Sequence, residues 1–198
     1  MPLFQNAEFF ISAHHLRDLP PATGVEVAFA GRSNAGKSSA LNTLANHNRL
    51  AYVSKQPGRT QLINFFKLGG DRYLVDLPGY GYAKTSKTMT DEWNRLIITY
   101  LRGRPSLRRV VLLVDSRRGI MESDEEVLTL LDQAAMSTLV TLTKIDELKP
   151  AELKTVVAAT EAKAAKHTAA YPEIFVTSSR EKRGLDPLKV NLLLLAEA

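Results

Sequence analysis

Residues 31–38 of this chain read Gly-Arg-Ser-Asn-Ala-Gly-Lys-Ser, and this segment constrains the fold more than any other. It matches the P-loop pattern G-x-x-x-x-G-K-S at every fixed position. The apolar run at residues 25–30 is typical of a strand, and residues 37–46 favour a helix. A loop in this context directs backbone N–H groups and a helix N-terminus at a polyphosphate. The segment therefore predicts a nucleotide-binding α/β domain.

Four P-loop residues have separate roles in phosphate binding. Gly31 and Gly36 allow tight turns and a close approach of the backbone to the phosphates, because neither carries a Cβ. Lys37 can neutralise the β- and γ-phosphates, and the Ser38 hydroxyl can ligate Mg²⁺. These roles leave the base and the reaction open.

Three shorter motifs later in the chain narrow the nucleotide to GTP. Asp76-Leu-Pro-Gly79 matches D-x-x-G, in which the Asp holds Mg²⁺ through water and the Gly N–H contacts the γ-phosphate. Thr143-Lys-Ile-Asp146 fits [NT]-K-x-D, whose carboxylate can accept two hydrogen bonds from guanine, whereas adenine lacks both donors. The N–H groups of Thr177-Ser-Ser179 can donate to guanine O6. Each motif follows the carboxyl end of a predicted strand, and open α/β sheets bind ligands at the edge formed by those strand ends.

The alternation of strand and helix patterns predicts a three-layer α/β fold of the P-loop NTPase G-domain type. Its mostly parallel, six-stranded sheet carries helices on both faces. The predicted strands are 25–30, 61–68, 71–76, 108–114, 138–143 and 173–177, and the predicted helices lie near 37–46, 88–102, 122–135, 150–169 and 185–196. Gly69-Gly70 predicts a hairpin that makes one edge strand antiparallel. Residues 1–22 are predicted to form an N-terminal arm packed on a single domain over residues 23–198.

Two longer motifs, Pro57-Gly-Arg-Thr-Gln61 and Asp76-Leu-Pro-Gly-Tyr-Gly-Tyr82, are more specific than the general G-domain motifs. With them, the chain resembles the EngB family (also called YihA or YsxC) of bacterial ribosome-assembly GTPases, in the TrmE–Era–EngA–EngB–septin-like group. The resemblance implies a Mg²⁺-dependent protein that hydrolyses GTP slowly to GDP and phosphate. It implies an assembly factor for the large ribosomal subunit, needed for normal cell division and septation. The implied partners are GTP, GDP and the large subunit or its rRNA, without membrane or DNA, in a cytoplasmic monomer.

The resemblance also assigns roles to individual residues. It implies catalytic roles for Lys37, Thr60 and Gly79. Ser38 and Thr60 are the implied direct Mg²⁺ ligands, and Asp76 holds the ion through water. The residues implied to contact the nucleotide are Gly31, Arg32, Ser33, Asn34, Ala35, Gly36, Lys37, Ser38, Gly58, Arg59, Thr60, Gln61, Leu62, Asp76, Leu77, Pro78, Gly79, Thr143, Lys144, Ile145, Asp146, Thr177, Ser178 and Ser179.

Two positions suggest how hydrolysis is limited. Tyr80 follows Gly79 where Ras-type enzymes carry the glutamine that orients water, so the isolated protein is expected to be slow. In several relatives an asparagine at the position of Asn34 coordinates K⁺, which replaces an arginine finger. Asn34 can instead serve only the loop, because asparagine tolerates the left-handed conformation and bonds nearby backbone. A third possibility is that the partner supplies catalytic groups in trans.

Composition sets outer limits on the protein class. A chain of 198 residues with 44% hydrophobic residues suits one α/β domain with a substantial core. No apolar run approaches the ~18 residues that span a bilayer, and residues 1–6 lack the pattern of a signal peptide. The absence of cysteine excludes disulfides and thiolate metal sites, and it fits a cytoplasmic protein.

The net charge of +5 is compatible with an RNA partner, although ordinary surface lysine and arginine would also explain it. Basic residues gather in three places: around Pro105, after the strand predicted at 108–114, and after the Ser-Ser motif. They are Arg102, Arg104, Arg108, Arg109, Arg117, Arg118, Arg180, Lys182 and Arg183.

Two functions of other classes remain open beside the assembly GTPase. One is a GTP-dependent binding module for a cell-division protein, in which hydrolysis is incidental. The other is a P-loop ATPase or small-molecule kinase, against which Thr143-Lys-Ile-Asp146 argues.

Overall fold

The computed structural model describes residues 2–47, 49–51, 62–81 and 87–196. A seven-stranded sheet lies at the centre of this part of the chain. The strands are β1 (Glu8–Ala13), β2 (Val25–Gly31), β3 (Ile63–Gly69), β4 (Arg72–Asp76), β5 (Leu107–Asp115), β6 (Thr138–Thr143) and β7 (Phe175–Val176). They lie in the order β1-β3-β4-β2-β5-β6-β7. β3 is antiparallel to both neighbours, and the pairs from β4 to β7 are all parallel.

Helices cover both faces of the sheet. Within the described ranges they are α1 (Pro2–Gln5), α2 (Lys37–Leu44), α3 (Lys87–Gly103), α4 (Glu122–Gln133), α5 (Pro150–Ala164) and α6 (Leu185–Ala196). None of those helices combines the length and the apolar character needed to cross a bilayer.

Strand β5 shows how the two core layers are built. Val110 and Leu112 pack in the apolar layer that contains residues of α3, α4 and α5. Val111 and Leu113 pack in the opposite layer, with residues of α1, α2 and α6. Successive strand residues point to opposite faces, so a strand buried on both sides must be apolar throughout. The predicted three-layer α/β fold is confirmed.

The sheet has seven strands, not the predicted six, because the N-terminal segment supplies β1. Its residues pair antiparallel with β3 across an irregularity between Phe9 and Ile11. Phe9 packs edge-on against Phe66 with ring centroids 6.2 Å apart. β3, predicted as the antiparallel edge, therefore lies second from the edge. The consecutive aromatic residues of β1 do not alternate with polar ones, and the sequence alone indicates only a packed arm.

Two predicted elements are shorter in the structure by three residues or more. The strand predicted at 173–177 contains Phe175 and Val176, and the helix predicted at 150–169 ends at Ala164. Hydrogen bonds to Asp132 explain the helix end. Its carboxylate contacts His167 Nδ1 at 2.7 Å and accepts the Ala169 N–H at 2.8 Å, which holds these residues outside the helix.

Candidate functional site

The P-loop connects β2 to α2 and contains two residues in the left-handed region. Asn34 has a φ of 66° and Gly36 a φ of 91°, immediately before α2 begins at Lys37. At the end of β2, a Cβ on Gly31 would lie 2.8 Å from the carbonyl oxygen of Leu113, so only glycine fits. The first turn of α2 has N–H groups without helical partners, and its dipole favours an anion. The loop therefore has the form of a phosphate site.

Lys37 of the P-loop faces Asp76 at the end of β4. Its ammonium contacts the Asp76 carboxylate, and each side chain is only 11% exposed. Two charges this far from water are retained because they neutralise each other. The pair brings together the lysine predicted to bind phosphate and the carboxylate predicted to hold Mg²⁺ through water.

The segment after Asp76 lies directly on the P-loop. Tyr80 N–H donates to the Gly31 carbonyl at 3.3 Å, and Ser33 N–H donates to the Tyr80 carbonyl at 3.0 Å. A Cβ on Gly79 would lie 3.1 Å from the nitrogen of Ser33, so a larger residue would push this segment away. The motifs D-x-x-G and G-x-x-x-x-G-K-S are thus in contact.

The motif at 143–146 is joined to the P-loop from the other side. The Thr143 hydroxyl donates to the Ala35 carbonyl at 2.6 Å. Lys144, at a φ of 58°, donates from Nζ to the Asn34 carbonyl at 2.7 Å. The motif predicted to recognise the base is therefore held at a fixed position relative to the P-loop.

Asp146 receives a hydrogen bond from the Ser-Ser motif. The Ser178 hydroxyl donates to Asp146 Oδ1 at 2.6 Å and accepts the Glu181 N–H at 3.0 Å. Ser178 and Arg183 pair through both backbone bonds at 3.0 Å, which closes the loop between them. The remaining oxygen of Asp146 has no hydrogen bond to the described residues. The Ser178 hydroxyl thus orients the carboxylate, and its second oxygen can accept a further hydrogen bond.

Asp115, at the end of β5, belongs to this site although the sequence analysis did not select it. It accepts Lys144 Nζ at 2.8 Å and Arg117 Nη2 at 2.6 Å. Burial alone would raise the pKa of Asp115, but the bonds from Arg117 and Lys144 outweigh it and hold that pKa well below its usual range. Asp115 pairs in register with Thr143 of β6. The rule that parallel strands end at one edge was the signal that could have found it.

Some predicted site residues contribute little more than backbone. Leu77 and Ile145 are 2% and 3% exposed and belong to the core. The Thr177 hydroxyl donates to the Leu142 carbonyl of β6 at 3.1 Å.

The other predicted positions differ in exposure. Ala35 and Pro78 are buried, Asn34 and Gly79 are exposed, and intermediate exposure is found for Arg32, Ser33, Ser38, Leu62, Lys144 and Ser179. Gly58, Arg59, Thr60 and Gln61 lie outside the described residues.

The residues present fit a Mg²⁺–nucleotide. Hydroxyl and carboxylate oxygens are ligands that Mg²⁺ accepts, and Ser38 and Asp76 supply them beside Lys37. Gly31 stands where any side chain would collide with the neighbouring strand, and Gly79 where one would crowd the P-loop. Fold and site together define a P-loop GTPase of the G-domain class.

Comparison with known proteins identifies the family. The family model described as "50S ribosome-binding GTPase" matches residues 26–144, and that of the elongation factor Tu GTP-binding domain matches residues 98–197. A probable GTP-binding protein EngB of Rhodospirillum rubrum is 49% identical over 97% of this chain and 85% of its own. The EngB protein of Methylobacillus flagellatus is 59% identical over 75% of this chain and 72% of its own.

A solved structure agrees in fold. The crystal structure of a probable GTP-binding protein EngB superposes with a TM-score of 0.69 and 21% identity, covering 87% of this chain and 99% of the other. The chain belongs to the EngB family of GTP-binding proteins.

Proposed function

We propose that this protein binds Mg²⁺–GTP, hydrolyses it slowly, and acts in assembly of the large ribosomal subunit. Normal cell division and septation would then depend on it, and it would act as a cytoplasmic monomer with one G domain. The observation that carries the proposal is the contact network around the P-loop. Lys37 meets Asp76 on one side, and Lys144 binds the loop on the other, beside Asp146.

The proposed division of roles follows from the side chains. Lys37 would neutralise the β- and γ-phosphates, and the Gly79 N–H would contact the γ-phosphate. Ser38 and Thr60 would hold Mg²⁺ directly, with Asp76 acting through water. The ion would supply positive charge between the β- and γ-phosphates. Asp146, oriented by Ser178, would accept the two guanine donors.

Slow hydrolysis is supported by the position of the Tyr80 side chain. Its hydroxyl donates to Asp124 at 2.6 Å, and no amide stands at this position to orient a water. Asn34 is exposed, and its side chain has no hydrogen bond to the described residues. The proposal therefore includes K⁺ at Asn34, or groups from the partner, as the activating element.

Hydrolysis measured in K⁺ and in Na⁺ at equal ionic strength separates these two sources. If Asn34 holds K⁺, we expect K⁺ to raise kcat about tenfold or more, and Asn34→Ala to abolish that increase. If the partner supplies the catalytic groups, only added large subunits will stimulate hydrolysis, and they will do so for both the wild type and the Asn34→Ala variant. Fast hydrolysis by the wild type in Na⁺ without subunits would contradict slow intrinsic turnover.

The large-subunit partner is supported by the description of the matching family model and by exposed basic residues. Arg108, Arg118, Arg180 and Lys182 are exposed and form no ion pair within the described part of the chain. Arg104 and Arg109 are not free for RNA in the same way. Arg104 binds Glu26, and Arg109 lies 5.5 Å from the Tyr171 ring.

Sedimentation tests the partner. We expect the protein to co-sediment with large subunits in a non-hydrolysable GTP analogue, to dissociate in GDP, and to lose binding as salt rises. Small subunits are the control. Equal binding to both subunits, or none in either nucleotide, would contradict the assembly role and favour a protein partner instead.

A further inference from the structure

One buried carboxylate outside the predicted site holds the segment that follows D-x-x-G. Asp124 lies in the first turn of α4 and is 1% exposed. Its Oδ1 accepts the Tyr80 hydroxyl at 2.6 Å, and its Oδ2 accepts the Met121 N–H at 2.8 Å. Because the bond to Met121 fixes Asp124 at the helix start, Tyr80 is tied to a rigid element.

Arg32 of the P-loop completes the cluster. Its Nε is buried without a hydrogen-bond partner among the described residues, and a Cβ on Gly81 would lie 3.1 Å from it. Burial raises the pKa of Asp124, and the positive charge of Arg32 opposes that rise. Three elements therefore meet here: the P-loop, the segment after β4, and α4.

A γ-phosphate would have to disturb this arrangement. In the structure Lys37 contacts Asp76 directly, and Gly79 packs on Ser33. A γ-phosphate that binds the Gly79 N–H would shift the backbone at Tyr80, which is hydrogen-bonded to Gly31 and Ser33 of the P-loop. A diphosphate would reach Lys37 through its β-phosphate but has no group for the Gly79 N–H, so it would leave this segment in place. The Met121 N–H holds Asp124 in place. A shift of the backbone at Tyr80 would therefore break the hydrogen bond from the Tyr80 hydroxyl to Asp124.

We propose that Asp124 is a positioning residue that acts through Tyr80 to set the preference of the site for GDP over GTP. This inference rests on the proposed nucleotide-binding function. A ligand shifts a conformational equilibrium only by its differential affinity for the two states. A hydrogen bond that is lost only in the triphosphate complex lowers affinity for GTP and leaves affinity for GDP unchanged.

The test compares Kd for GDP with Kd for guanylyl imidodiphosphate, both with Mg²⁺. Tyr80→Phe removes the hydroxyl and keeps the ring, whereas Asp124→Ala removes the carboxylate that accepts that hydroxyl. In each variant we expect the ratio of the triphosphate Kd to the GDP Kd to fall on the order of tenfold. In the double variant the ratio should fall no further, because both substitutions remove the same hydrogen bond.

Tyr100→Phe is the matched control. Tyr100 donates to the buried carboxylate of Glu26 at 2.8 Å, at the opposite end of the sheet from the P-loop. It should lower stability and leave the nucleotide ratio unchanged. If Asp124→Ala does not fold, Tyr80→Phe decides alone, because it keeps the contact between Asp124 and Met121.

The outcomes separate this inference from the function on which it rests. If the wild type binds neither nucleotide, the proposed function fails. If it binds both and the ratio is unchanged or rises in Tyr80→Phe, the inference is overturned and the function stands. A change in Tyr80→Phe that a folded Asp124→Ala does not share also overturns it.

Discussion

Replacing Asp146 with Asn is expected to lower GTP affinity by about two orders of magnitude, because the carboxylate loses its role as acceptor for two guanine donors. The new amide can accept at its oxygen and donate from its nitrogen. Xanthine carries a carbonyl where guanine carries its amino group, so the variant should gain affinity for xanthosine triphosphate. The Ser178 hydroxyl, 2.6 Å from Asp146 Oδ1 in the wild type, can still donate to the amide oxygen.

Competition binding with GTP, xanthosine triphosphate and ATP checks this exchange of specificity. Ser178→Ala is the control, because it removes the orienting hydroxyl and keeps the carboxylate. We expect it to weaken GTP binding by a smaller factor and to give no xanthine binding. A wild type that binds ATP and GTP equally, or an Asn variant with unchanged GTP affinity, would contradict the role assigned to Asp146.

The parts of the site that could be predicted are those in which local geometry requires particular residues. Gly31 passes so close to β5 that a Cβ would meet the Leu113 carbonyl, and Gly36 has a positive φ, so backbone geometry favours glycine at both positions. Thr143 and Lys144 follow a strand whose apolar run is visible in the sequence. Their hydrogen bonds to the P-loop carbonyls could not be read from the sequence, although their place at one sheet edge could.

Asp115 and Asp124 could not be predicted as readily, because their partners lie far along the chain. Asp115 meets Lys144 only when β5 and β6 pair in register, and Asp124 meets Tyr80 only when α4 packs beside the P-loop. Each is a single acidic residue without a motif. Their importance comes from burial and hydrogen bonding, which depend on tertiary structure.

The arginines around Pro105 show the same limit for charge. From the sequence alone, Arg104 is expected to be a surface charge like the neighbouring arginines. In the structure its side chain is 8% exposed, and its guanidinium binds the carboxylate of Glu26, whose side chain is completely buried. A basic cluster thus contains both solvent-facing side chains and a structural ion pair, and burial alone separates them.

Glu26→Ala is accordingly expected to lower the free energy of unfolding by about 3–5 kcal/mol, the usual effect of removing one partner of a buried pair. Glu26 accepts hydrogen bonds from Arg104, from Tyr100 at 2.8 Å and from Ser106 at 2.7 Å. Without it the guanidinium and two hydroxyls are left without their acceptor in a site closed to water. Since a domain is stable by only about 5–15 kcal/mol, urea unfolding should show the loss clearly.

The double variant Glu26→Met/Arg104→Met tests the cause of the stability lost in Glu26→Ala. That cause is either the unpaired buried charge of Arg104 or the cavity left by the smaller side chain. Removing both charges leaves no ion to desolvate, so we expect it to be more stable than Glu26→Ala by about 2 kcal/mol or more. Nucleotide affinity should stay near the wild-type value in every folded variant. Glu26 lies about 16 Å before Gly31 along β2, and this distance separates the changed charge from the P-loop. A double variant as unstable as the single one would assign the loss to packing and contradict the ion-pair explanation.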